Sequence, residues 1–408
     1  MKYSINFPVK ELESNINLPF SKSISNRLLI IKALSKDEFP IEGLSDCDDT
    51  NILRQSLQST NDVIDAGSAG TAMRFLTAYF TATAQTKTIT GSEEMKNRPI
   101  GDLVDALNKL GADIVYLEKA GFPPIKTSGK TLSGNSIEIN GNISSQFISA
   151  LLLVAPVLPE GLTIRIIGEP VSLPYIKMTL KLMKQAGVSS TYEKNVITVA
   201  RQDYRPEGSI LVERDYSAAS YWYQMAALAN DARILLEGVT DKSMQGDAII
   251  AQLACAFGVK TEYTPEGALL SKFRNICHTL WYNFKDAPDL AQTMVVTCCL
   301  MNIHFRFAGV QTLRIKETDR IAALQNELLK LGYCIKEKTP DVIEWNGERT
   351  EPQHDITIST YNDHRMAMAF APAAVYFPEL KIENPEVVRK SYPNFWDDLK
   401  QAGIIVIG

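Results

Sequence analysis

Residues 320–335, RIAALQNELLKLGYCI, contain the pattern that decides the fold. Apolar residues recur there at helical spacing, and a glycine with a short β-like stretch follows them: Ile321, Leu324, Leu328, Leu331 and then Gly332. This spacing predicts an amphipathic helix, because residues three or four apart share one face. Glycine suits the left-handed position that ends a helix. We therefore predict one helix–glycine–strand unit in this stretch.

The same pattern occurs at residues 99–116, 175–192, 248–263 and 395–407. The closing glycines are separated by 76, 71, 74 and 71 residues: Gly111, Gly187, Gly258, Gly332 and Gly403. A degenerate sixth copy at residues 49–59, DTNILRQSLQS, lacks the glycine and precedes a shortened segment. A helix, a glycine and a strand in succession are common in α/β proteins, but so even a spacing indicates internal repeats. We predict six α/β units, three before about residue 213 and three after it.

The length and the composition set broad limits on function. A chain of 408 residues is long enough for two or three domains, and 45% hydrophobic with 22% charged residues is typical of a globular protein. Lys and Arg number 42 against 47 Asp and Glu, which gives a net charge of -5. Such a chain is a poor general nucleic-acid binder. An anionic ligand would need a local cluster of cations.

Membrane insertion, export and metal binding find little support in the sequence. The longest apolar run, Phe147 to Leu158, is shorter than the ~20 residues of a membrane helix. The first residues, MKYSINFPVKELE, resemble neither a signal peptide nor a transit peptide. The six cysteines form no C-x-x-C pair, and none of the four histidines has metal-ligand spacing to a cysteine. We expect a cytoplasmic protein with reduced thiols and no metal site.

Four motifs in the first half of the chain place small polar residues and cations near predicted helix starts. They are SKSISNR at residues 21–27, DAGSAGTAMR at 65–74, NRPIG at 97–101 and NISSQF at 142–147. Backbone N–H groups, hydroxyls and fixed cations at a helix start can bind a phosphate or a carboxylate. Each motif alone is also compatible with an ordinary helix cap, a tightly packed helix entry or a solvated arginine.

Three further motifs lie in the second half, at residues 314–320 (RIKETDR), 361–368 (YNDHRMAM) and 388–393 (VRKSYP). Five of the seven residues in RIKETDR are ionisable. We predict a helix start on which Lys316 and Arg320, four residues apart, share a face. A carboxylate among such cations would place an acid/base group beside an anion clamp, although a solvated charged face is the alternative.

Together the motifs supply eight cations near helix starts in different repeats: Lys22, Arg27, Arg74, Arg98, Lys316, Arg320, Arg365 and Lys390. This number suffices for two multiply charged anions in a protein that is acidic as a whole. Because histidines are few, proton transfer would fall to Glu, Asp or Lys.

The motifs LPxSKSxSNR, AGTAMR, NRPIGxLVDAL, SSQF, SMQGD, RxKETDR and YNDHRMAM resemble those of the 5-enolpyruvylshikimate-3-phosphate (EPSP) synthase family. They occur in that family's order and span nearly the whole chain. The resemblance implies an inside-out α/β barrel of two domains, each with three βαβαββ repeats. It implies one domain at residues 20–213 and the other at residues 1–19 plus 214–408, with the active site in the cleft between them.

The resemblance also implies an activity. The enolpyruvyl group of phosphoenolpyruvate would be transferred to the 5-hydroxyl of shikimate 3-phosphate, with release of phosphate, by addition and elimination. This reaction belongs to the shikimate pathway of aromatic amino-acid and chorismate biosynthesis, and glyphosate would compete with phosphoenolpyruvate beside Gly70. The expected partners are these two small molecules. We expect a monomer without metal or other cofactor that binds neither nucleic acid nor membrane.

The family's site residues are matched at these positions. The residues that resemble the shikimate 3-phosphate site are Ser23, Arg27, Ser144, Ser145, Gln146, Ser172, Tyr175, Asp289 and Lys316. Those that resemble the phosphoenolpyruvate site are Lys22, Gly70, Arg74, Arg98, Gln146, Arg320, Arg365 and Lys390. Glu317 and Asp289 match the catalytic acid/base carboxylates, and Lys22 and Lys390 match the cations that assist them.

Four residues depart from the family pattern. Phe20 replaces a glycine, Ser68 an asparagine and Phe75 a proline, and Thr312 stands where many members have an asparagine near the shikimate phosphate. None of these changes removes a charged catalytic position.

Two alternative functions remain open at this point. The related enolpyruvyl transferase that acts on UDP-N-acetylglucosamine has a similar fold but lacks the RxKETDR and SSQF set, and it usually uses a loop cysteine as an acid. No cysteine here lies in an obvious equivalent loop. A non-catalytic phosphometabolite-binding protein is the other alternative. Glu317 and Asp289 argue against it, because a binder of anions gains nothing from carboxylates at its site.

Overall fold

The computed structural model describes residues 1–8, 11–142, 144–273 and 276–408. Its α-helices are α1 (Lys22–Leu34), α2 (Asp48–Gln58), α3 (Gly70–Ala82), α4 (Glu93–Lys96), α5 (Gly101–Lys109), α6 (Ser145–Val154), α7 (Leu173–Gln185), α8 (Tyr216–Leu228), α9 (Ile250–Leu253), α10 (Ala291–Leu300), α11 (Arg320–Lys330), α12 (His364–Phe370) and α13 (Phe395–Gln401). Short 3-10 helices lie at Ala155–Val157, Gly246–Ile249, Ala254–Phe257, Phe284–Asp286, Pro288–Leu290, Gln311–Ile315, Ala371–Val375 and Pro385–Lys390.

The strands are β1 (Lys2–Asn6), β2 (Glu11–Ile16), β3 (Ile41–Glu42), β4 (Val63–Asp65), β5 (Thr88–Thr90), β6 (Val115–Tyr116), β7 (Ile125–Lys126), β8 (Ser136–Asn140), β9 (Leu162–Ile167), β10 (Thr191–Glu193), β11 (Val196–Val199), β12 (Ile210–Leu211), β13 (Asp231–Glu237), β14 (Val259–Tyr263), β15 (Gly267–Lys272), β16 (Thr279–Asn283), β17 (His304–Ala308), β18 (Lys336–Thr339), β19 (Val342–Trp345), β20 (Thr357–Ile358), β21 (Leu380–Glu383) and β22 (Ile405–Ile407).

The chain forms two compact units. The N-terminal unit is Phe20–Val212, and the C-terminal unit combines Met1–Pro19 with Glu213–Gly408. The first residues of the chain belong to the second of these units because β1 pairs with β21 and β22, and β2 pairs with β13.

One sheet topology recurs throughout the described residues. A parallel strand pair is extended by two antiparallel strands in the sheets β4-β5-β7-β6, β8-β9-β11-β10, β2-β13-β15-β14, β16-β17-β19-β18 and β20-β21-β1-β22. The copies that begin with β4, β8 and β16 follow the order β-α-β-α-β-β along the chain. In the copy that begins with β2, the N-terminal unit lies between β2 and α8, and in the copy that begins with β20, the fourth strand is β1 from the start of the chain. A sixth sheet holds only the parallel pair of β3 and β12. Its copy contains α2, after which the chain passes directly to β4 with no hairpin, which explains the degenerate repeat in the sequence.

Each unit has helices inside and sheets outside. In the C-terminal unit, every residue of α10 and α12 is buried, and so is every residue of α8 except Ser217. In the N-terminal unit, α1, α3 and α6 contact one another in the same way. These helices carry apolar or small residues on nearly all sides, so they must be surrounded. The sheets alternate exposed and buried residues, as in β8, because one face covers the helices.

The predicted helix ends are confirmed. All five closing glycines have positive φ angles: Gly111, Gly187, Gly258, Gly332 and Gly403. The copy at residues 248–263 differs from the others, because only Ile250–Leu253 is α-helical and 3-10 turns flank it on both sides. Within the described ranges, no helix combines the length and the apolar character needed to cross a bilayer.

Candidate active site

Arg27 is a buried cation in the N-terminal unit. Its guanidinium donates from Nε to Thr179 at 2.7 Å, from Nη2 to Ser149 at 3.0 Å and from Nη1 to the carbonyl oxygen of Ser23 at 2.8 Å. Burial lowers the pKa of Arg27 to about 10, so the group remains charged at neutral pH. All three acceptors are neutral. A buried cation held by neutral groups is stabilised by an anion, and the site can therefore bind one.

Two aromatic rings flank this guanidinium. The Phe75 ring centre lies 5.5 Å from the Arg27 guanidinium carbon, and the Tyr175 ring centre lies 5.8 Å from it. Tyr175 follows Ser172, which precedes α7 in a left-handed conformation with φ of 55°. Ring faces attract cations and restrict their motion. Arg27, Ser172 and Tyr175, which the family resemblance assigns to one substrate site, thus lie in one region of the structure. Phe75 adds a contact that its motif did not predict.

A second cationic cluster surrounds Gly70, the first residue of α3. Arg74 donates to the carbonyl oxygens of Gly70 at 3.0 Å and Pro99 at 2.9 Å. A Cβ atom on Gly70 would lie 2.7 Å from Arg98 Nη1 and 2.8 Å from Arg74 Nη1. Two guanidinium groups therefore converge on one backbone atom. Like charges so close repel each other, and an anion between them would relieve the repulsion.

The SSQF motif reaches this cluster. Ser144 caps α6 by accepting from the backbone N–H of Gln146, and the side-chain amide of Gln146 donates to the Thr71 hydroxyl at 3.2 Å. Thr71 follows Gly70 on α3. Ser145 begins α6 and is buried, and Ile143 of the same motif lies outside the described residues. The sequence predicted both helix starts, and the structure adds the bond that joins them.

Lys22 begins α1 and pairs with an acid that the sequence analysis missed. Its Nζ lies 2.9 Å from Asp49 Oδ2, and the Asp49 side chain is buried. Asp49 is the second residue of α2. The signal for it was the acidic pair Asp48 and Asp49 at the start of the degenerate repeat, where acids are common because of the helix dipole.

Arg320 organises the charged cluster of the C-terminal unit. It is the first residue of α11 and is buried. Its guanidinium donates from Nε to Asp363 at 2.7 Å, from Nη1 to Asp289 at 3.1 Å and from Nη2 to Glu317 at 3.0 Å. Three carboxylates thus share one planar cation, whose fork geometry suits such pairing. Asp363 lies in the YNDHRMAM motif, but it was not among the predicted site residues.

Asp289, on the 3-10 helix Pro288–Leu290, receives three cations. Arg365 Nη2 lies 2.9 Å from Oδ2, and Arg320 Nη1 and Lys316 Nζ lie 3.1 Å and 3.4 Å from Oδ1. Burial alone would raise the pKa of Asp289, but Arg365, Lys316 and Arg320 together hold it well below its ordinary value. Burial lowers the pKa of Lys316. Asp289 is therefore a carboxylate acceptor at neutral pH.

The predicted helical pairing of Lys316 and Arg320 is wrong. The residues Gln311–Ile315 form a 3-10 helix, Lys316 is extended after it, and α11 begins only at Arg320. Asp319 causes this late start, because its carboxylate accepts from the backbone N–H groups of Ile321 and Ala322 and so caps the helix. Lys316 and Arg320 meet through Asp289 instead of through a shared helix face.

Glu317 contacts two cations. Its Oε2 accepts from Arg320 at 3.0 Å, and its Oε1 lies 3.3 Å from Nζ of Lys390. Lys390 ends the 3-10 helix Pro385–Lys390 and is buried. A carboxylate held between two cations can take part in proton transfer beside a bound anion. The residues predicted from the distant motifs RIKETDR and VRKSYP therefore meet here.

Asp247, in the SMQGD motif, is a buried carboxyl that the sequence analysis did not select. Its Oδ2 accepts a short hydrogen bond from Ser217, and its Oδ1 is buried with no hydrogen-bond partner in the described chain. Burial and the neighbouring carboxylates Asp289 and Asp215 raise the pKa of Asp247 to about 7, while Arg365 and Ser217 oppose this change. The motif itself was the signal, since an aspartate directly after glycine in a buried turn has little access to water.

Replacing Asp247 with asparagine should change how stability depends on pH. The pKa of Asp247 is raised in the folded protein, so the folded state binds the proton more tightly than the unfolded chain does. The contribution of this proton to the free energy of unfolding is then lost as pH rises from about 4 to about 7. Between pH 5 and pH 8, Asp247→Asn should gain about 2–3 kcal/mol relative to the parent. Denaturant unfolding at both pH values measures this difference.

Asp241→Asn is the matched control, because Asp241 is exposed in the preceding turn. Its stability should follow the parent at both pH values. Parallel pH profiles for Asp247→Asn and the parent would contradict the raised pKa of Asp247.

The predicted residues thus fall into two sets, each within one unit. The N-terminal unit holds Lys22, Ser23, Arg27, Gly70, Arg74, Arg98, Ser144, Ser145, Gln146, Ser172 and Tyr175, and the C-terminal unit holds Asp289, Lys316, Glu317, Arg320, Arg365 and Lys390. Among the described residues, no group of three or more His, Cys, Asp or Glu side chains is arranged to hold a metal ion.

Comparisons with known proteins give one family. The family model described as EPSP synthase (3-phosphoshikimate 1-carboxyvinyltransferase) matches residues 52–399. Over 404 residues the chain is 51% identical to the 3-phosphoshikimate 1-carboxyvinyltransferase of Bacteroides fragilis strain YCH46, which covers 99% of this chain and 98% of that relative. The 3-phosphoshikimate 1-carboxyvinyltransferase of Aliivibrio salmonicida strain LFI1238 is 35% identical over 428 residues, with 97% and 98% coverage.

The fold has counterparts among solved structures. EPSP synthase from Acinetobacter baumannii superposes with a TM-score of 0.76 at 21% sequence identity, and the match covers 100% of both chains. At this identity the likeness concerns the fold, and it confirms the predicted α/β fold class.

Proposed function

The chain belongs to the EPSP synthase family, and we propose that its two clusters of charged side chains carry out enolpyruvyl transfer from phosphoenolpyruvate to the 5-hydroxyl of shikimate 3-phosphate. The observation that carries this proposal is that Arg320 contacts both Asp289 and Glu317 while Lys390 and Arg365 contact these same carboxylates. The two proposed acid/base carboxylates are thus in direct contact with the cations that would bind the anionic substrate. We also propose that the two units are the three-repeat domains at residues 20–213 and 1–19 plus 214–408.

The N-terminal cluster would bind both substrates. Arg27, a buried cation with neutral hydrogen-bond partners, would pair with shikimate 3-phosphate. The other residues of this subsite would be Ser23, Ser144, Ser145, Gln146, Ser172 and Tyr175. The guanidinium groups of Arg74 and Arg98 converge on Gly70 and would hold phosphoenolpyruvate there. Each guanidinium can donate two parallel hydrogen bonds to a carboxylate or a phosphate. Gln146 touches Thr71 and would contact both ligands.

The C-terminal cluster would complete the two subsites. Asp289 and Lys316 would face shikimate 3-phosphate, and Arg320, Arg365 and Lys390 would face phosphoenolpyruvate. The cations are paired with carboxylates of the same unit, so their side chains are held in place. Groups that are positioned in advance lose little entropy when the substrate arrives.

In the addition step, the 5-hydroxyl oxygen attacks C2 of phosphoenolpyruvate while C3 gains a proton. Asp289, which is charged at neutral pH, would accept the proton of the hydroxyl. Its cations hold its pKa well below the ordinary value, and pairing of Arg320 and Arg365 with phosphoenolpyruvate would raise that pKa and so make Asp289 a stronger base. Glu317, in its protonated form, would deliver the proton to C3 and become a carboxylate. The product is a tetrahedral intermediate with a methyl group at the former methylene carbon.

In the elimination step, Glu317 would take a proton from that methyl group while the bond between C2 and the phosphate oxygen breaks. Inorganic phosphate leaves with the proton that Asp289 took from the hydroxyl, and the enolpyruvyl ether of shikimate 3-phosphate remains. Both carboxyl groups thus return to their starting protonation states. Lys22 and Lys390 would stabilise the negative charge that develops on the leaving phosphate and on the carboxylate. Asp49 pairs with Lys22 and would hold its ammonium group in place.

A turnover assay with two acceptors tests the function. Phosphate release from phosphoenolpyruvate should require shikimate 3-phosphate and should stay at background with UDP-N-acetylglucosamine. Turnover with the second acceptor alone would favour the related transferase, and turnover with neither would favour a binding protein.

Arg27→Met sharpens this assay. The change removes the buried cation, and the KM for shikimate 3-phosphate should rise by at least about 30-fold, equivalent to about 2 kcal/mol for a lost charge-assisted contact. Arg54→Met is the matched control, since Arg54 is exposed on α2 and bonds only to Asn51 among the described residues. Equal KM values for Arg27→Met and the parent would contradict the proposed role of Arg27.

A further inference from the structure

The turn between β20 and α12 is attached to α11 at two points. At the first, Arg320 donates to Asp363 at 2.7 Å. At the second, Glu327 accepts through Oε1 from the Tyr361 hydroxyl at 2.7 Å and through Oε2 from the Ser359 backbone N–H at 3.0 Å. Arg320 and Glu327 are seven residues apart, so the helix places them on one face, two turns from each other.

The turn needs such an attachment because its backbone is strained. Tyr361 and Asn362 have φ angles of 53° and 54°, so two successive residues with side chains adopt the left-handed conformation. Residues other than glycine rarely do so, and they persist there only when their surroundings hold them. The bond from Tyr361 to Glu327 ties one of the two residues directly to α11.

Glu327 is well suited to hold the turn. Its side chain is completely buried, and Lys330 Nζ lies 2.6 Å from its Oε2. With Tyr361 and Ser359, both carboxylate oxygens are satisfied. A buried carboxylate is costly unless it is paired and hydrogen-bonded, so its presence indicates a specific role. The transfer reaction gives Glu327 no role, since none of its three partners belongs to the proposed substrate sites.

The turn sets the position of Arg320 and Arg365, the two arginines that are proposed to bind phosphoenolpyruvate. Asp363, its last residue, accepts from Arg320 and also caps α12 by accepting from the backbone N–H of Arg365 at 2.9 Å. Arg365 in turn reaches Asp289 at 2.9 Å. A shift of the turn would therefore move the guanidinium groups of Arg320 and Arg365 together.

We propose that Glu327 and Tyr361 are positioning residues that hold the turn so that Arg320 and Arg365 are aimed at phosphoenolpyruvate. The proposal rests on the function proposed above, which assigns these two arginines to that substrate. Neither Glu327 nor Tyr361 touches the substrate; both act through Asp363 and the start of α12.

Tyr361→Phe tests the proposal with little risk to folding, because Tyr361 is 37% exposed. The variant loses only the hydroxyl, and the turn loses one of its attachments. We expect the KM for phosphoenolpyruvate to rise about tenfold, while the KM for shikimate 3-phosphate stays within threefold of the parent. A role in stability alone would lower the melting temperature without separating the two KM values, so this split identifies positioning.

Two substitutions of Glu327 provide a rescue test. Glutamine retains an oxygen for Ser359 and Lys330, and its amide N–H can donate to the Tyr361 hydroxyl, which can also accept. Glu327→Gln should therefore keep the KM for phosphoenolpyruvate within threefold of the parent. Glu327→Leu cannot make these bonds, and its KM should rise at least as much as that of Tyr361→Phe. Equal behaviour of the two Glu327 variants would contradict the hydrogen-bonded role.

Tyr376→Phe is the matched control, because Tyr376 is 51% exposed in the same unit and lies outside the turn. Amide hydrogen exchange of residues 359–366 in the unliganded protein gives a readout that needs no turnover. Protection there should fall in Tyr361→Phe and stay unchanged in Tyr376→Phe. Unchanged protection in Tyr361→Phe, or an unchanged KM for phosphoenolpyruvate with an active parent, would overturn this inference alone. Absence of turnover by the parent would instead contradict the proposed function.

Discussion

Glu317→Gln should lower kcat by roughly 10²- to 10⁴-fold, the usual contribution of general acid–base catalysis. Glutamine keeps the size of the side chain and can still meet Arg320 through its amide oxygen, but it cannot deliver or accept a proton at C3 of phosphoenolpyruvate. The affinity for shikimate 3-phosphate, measured by calorimetry, should change less than fivefold. Turnover within about threefold of the parent would exclude Glu317 from this role.

Deuterium incorporation separates proton transfer from other losses. In D₂O the parent should introduce solvent deuterium at C3, because the tetrahedral intermediate has a methyl group that exchanges a proton with Glu317 before elimination. Glu317→Gln should incorporate deuterium as slowly as it turns over. Glu344→Gln is the matched control: Glu344 lies on β19 and pairs with Lys338 at 3.5 Å, in the same unit but outside the cluster around Arg320.

The repeats could be predicted because they depend on local chemistry. A helical apolar spacing followed by glycine predicts the helix that precedes each closing glycine. The five glycines have positive φ angles, which explains why glycine is needed there. The strand order could not be predicted in the same way. Pairing of β1 with β21, at the other end of the chain, depends on contacts between residues far apart in sequence.

The charged cluster shows the same limit. The high charge of RIKETDR indicated a functional segment. The same pattern predicted that Lys316 and Arg320 share a helix face, but Lys316 lies before the helix. The capping carboxylate of Asp319 decides where α11 begins, and the half-buried carboxylate of Asp289 decides where Lys316 points. Partners such as Asp49 and Asp363 could not be selected, since an acid that pairs with one of the proposed site cations resembles any surface acid until the fold buries it.

Gly70→Ala should weaken binding of phosphoenolpyruvate and, more strongly, of glyphosate. Gly70 does not adopt a positive φ angle and begins a helix, so alanine fits its backbone and the protein should fold. The added methyl group would lie 2.7 Å from Arg98 and 2.8 Å from Arg74, and the ends of these side chains must move. A methyl group typically changes discrimination by about 1–3 kcal/mol, which corresponds to roughly a 5- to 150-fold loss.

The ratio of the two losses identifies their cause. If the methyl group acted only by displacing Arg74 and Arg98, phosphoenolpyruvate and glyphosate would lose affinity equally, because both need the same cations. Glyphosate is the longer molecule, so it should lose more if the methyl group also enters the space of the ligand. Inhibition competitive with phosphoenolpyruvate, measured on the parent and on Gly70→Ala, gives this ratio. Gly101→Ala is the matched control, since Gly101 also begins a helix but its added Cβ would meet only an ordinary contact at 3.5 Å. Equal glyphosate inhibition constants for Gly70→Ala and the parent would place Gly70 outside the phosphoenolpyruvate subsite.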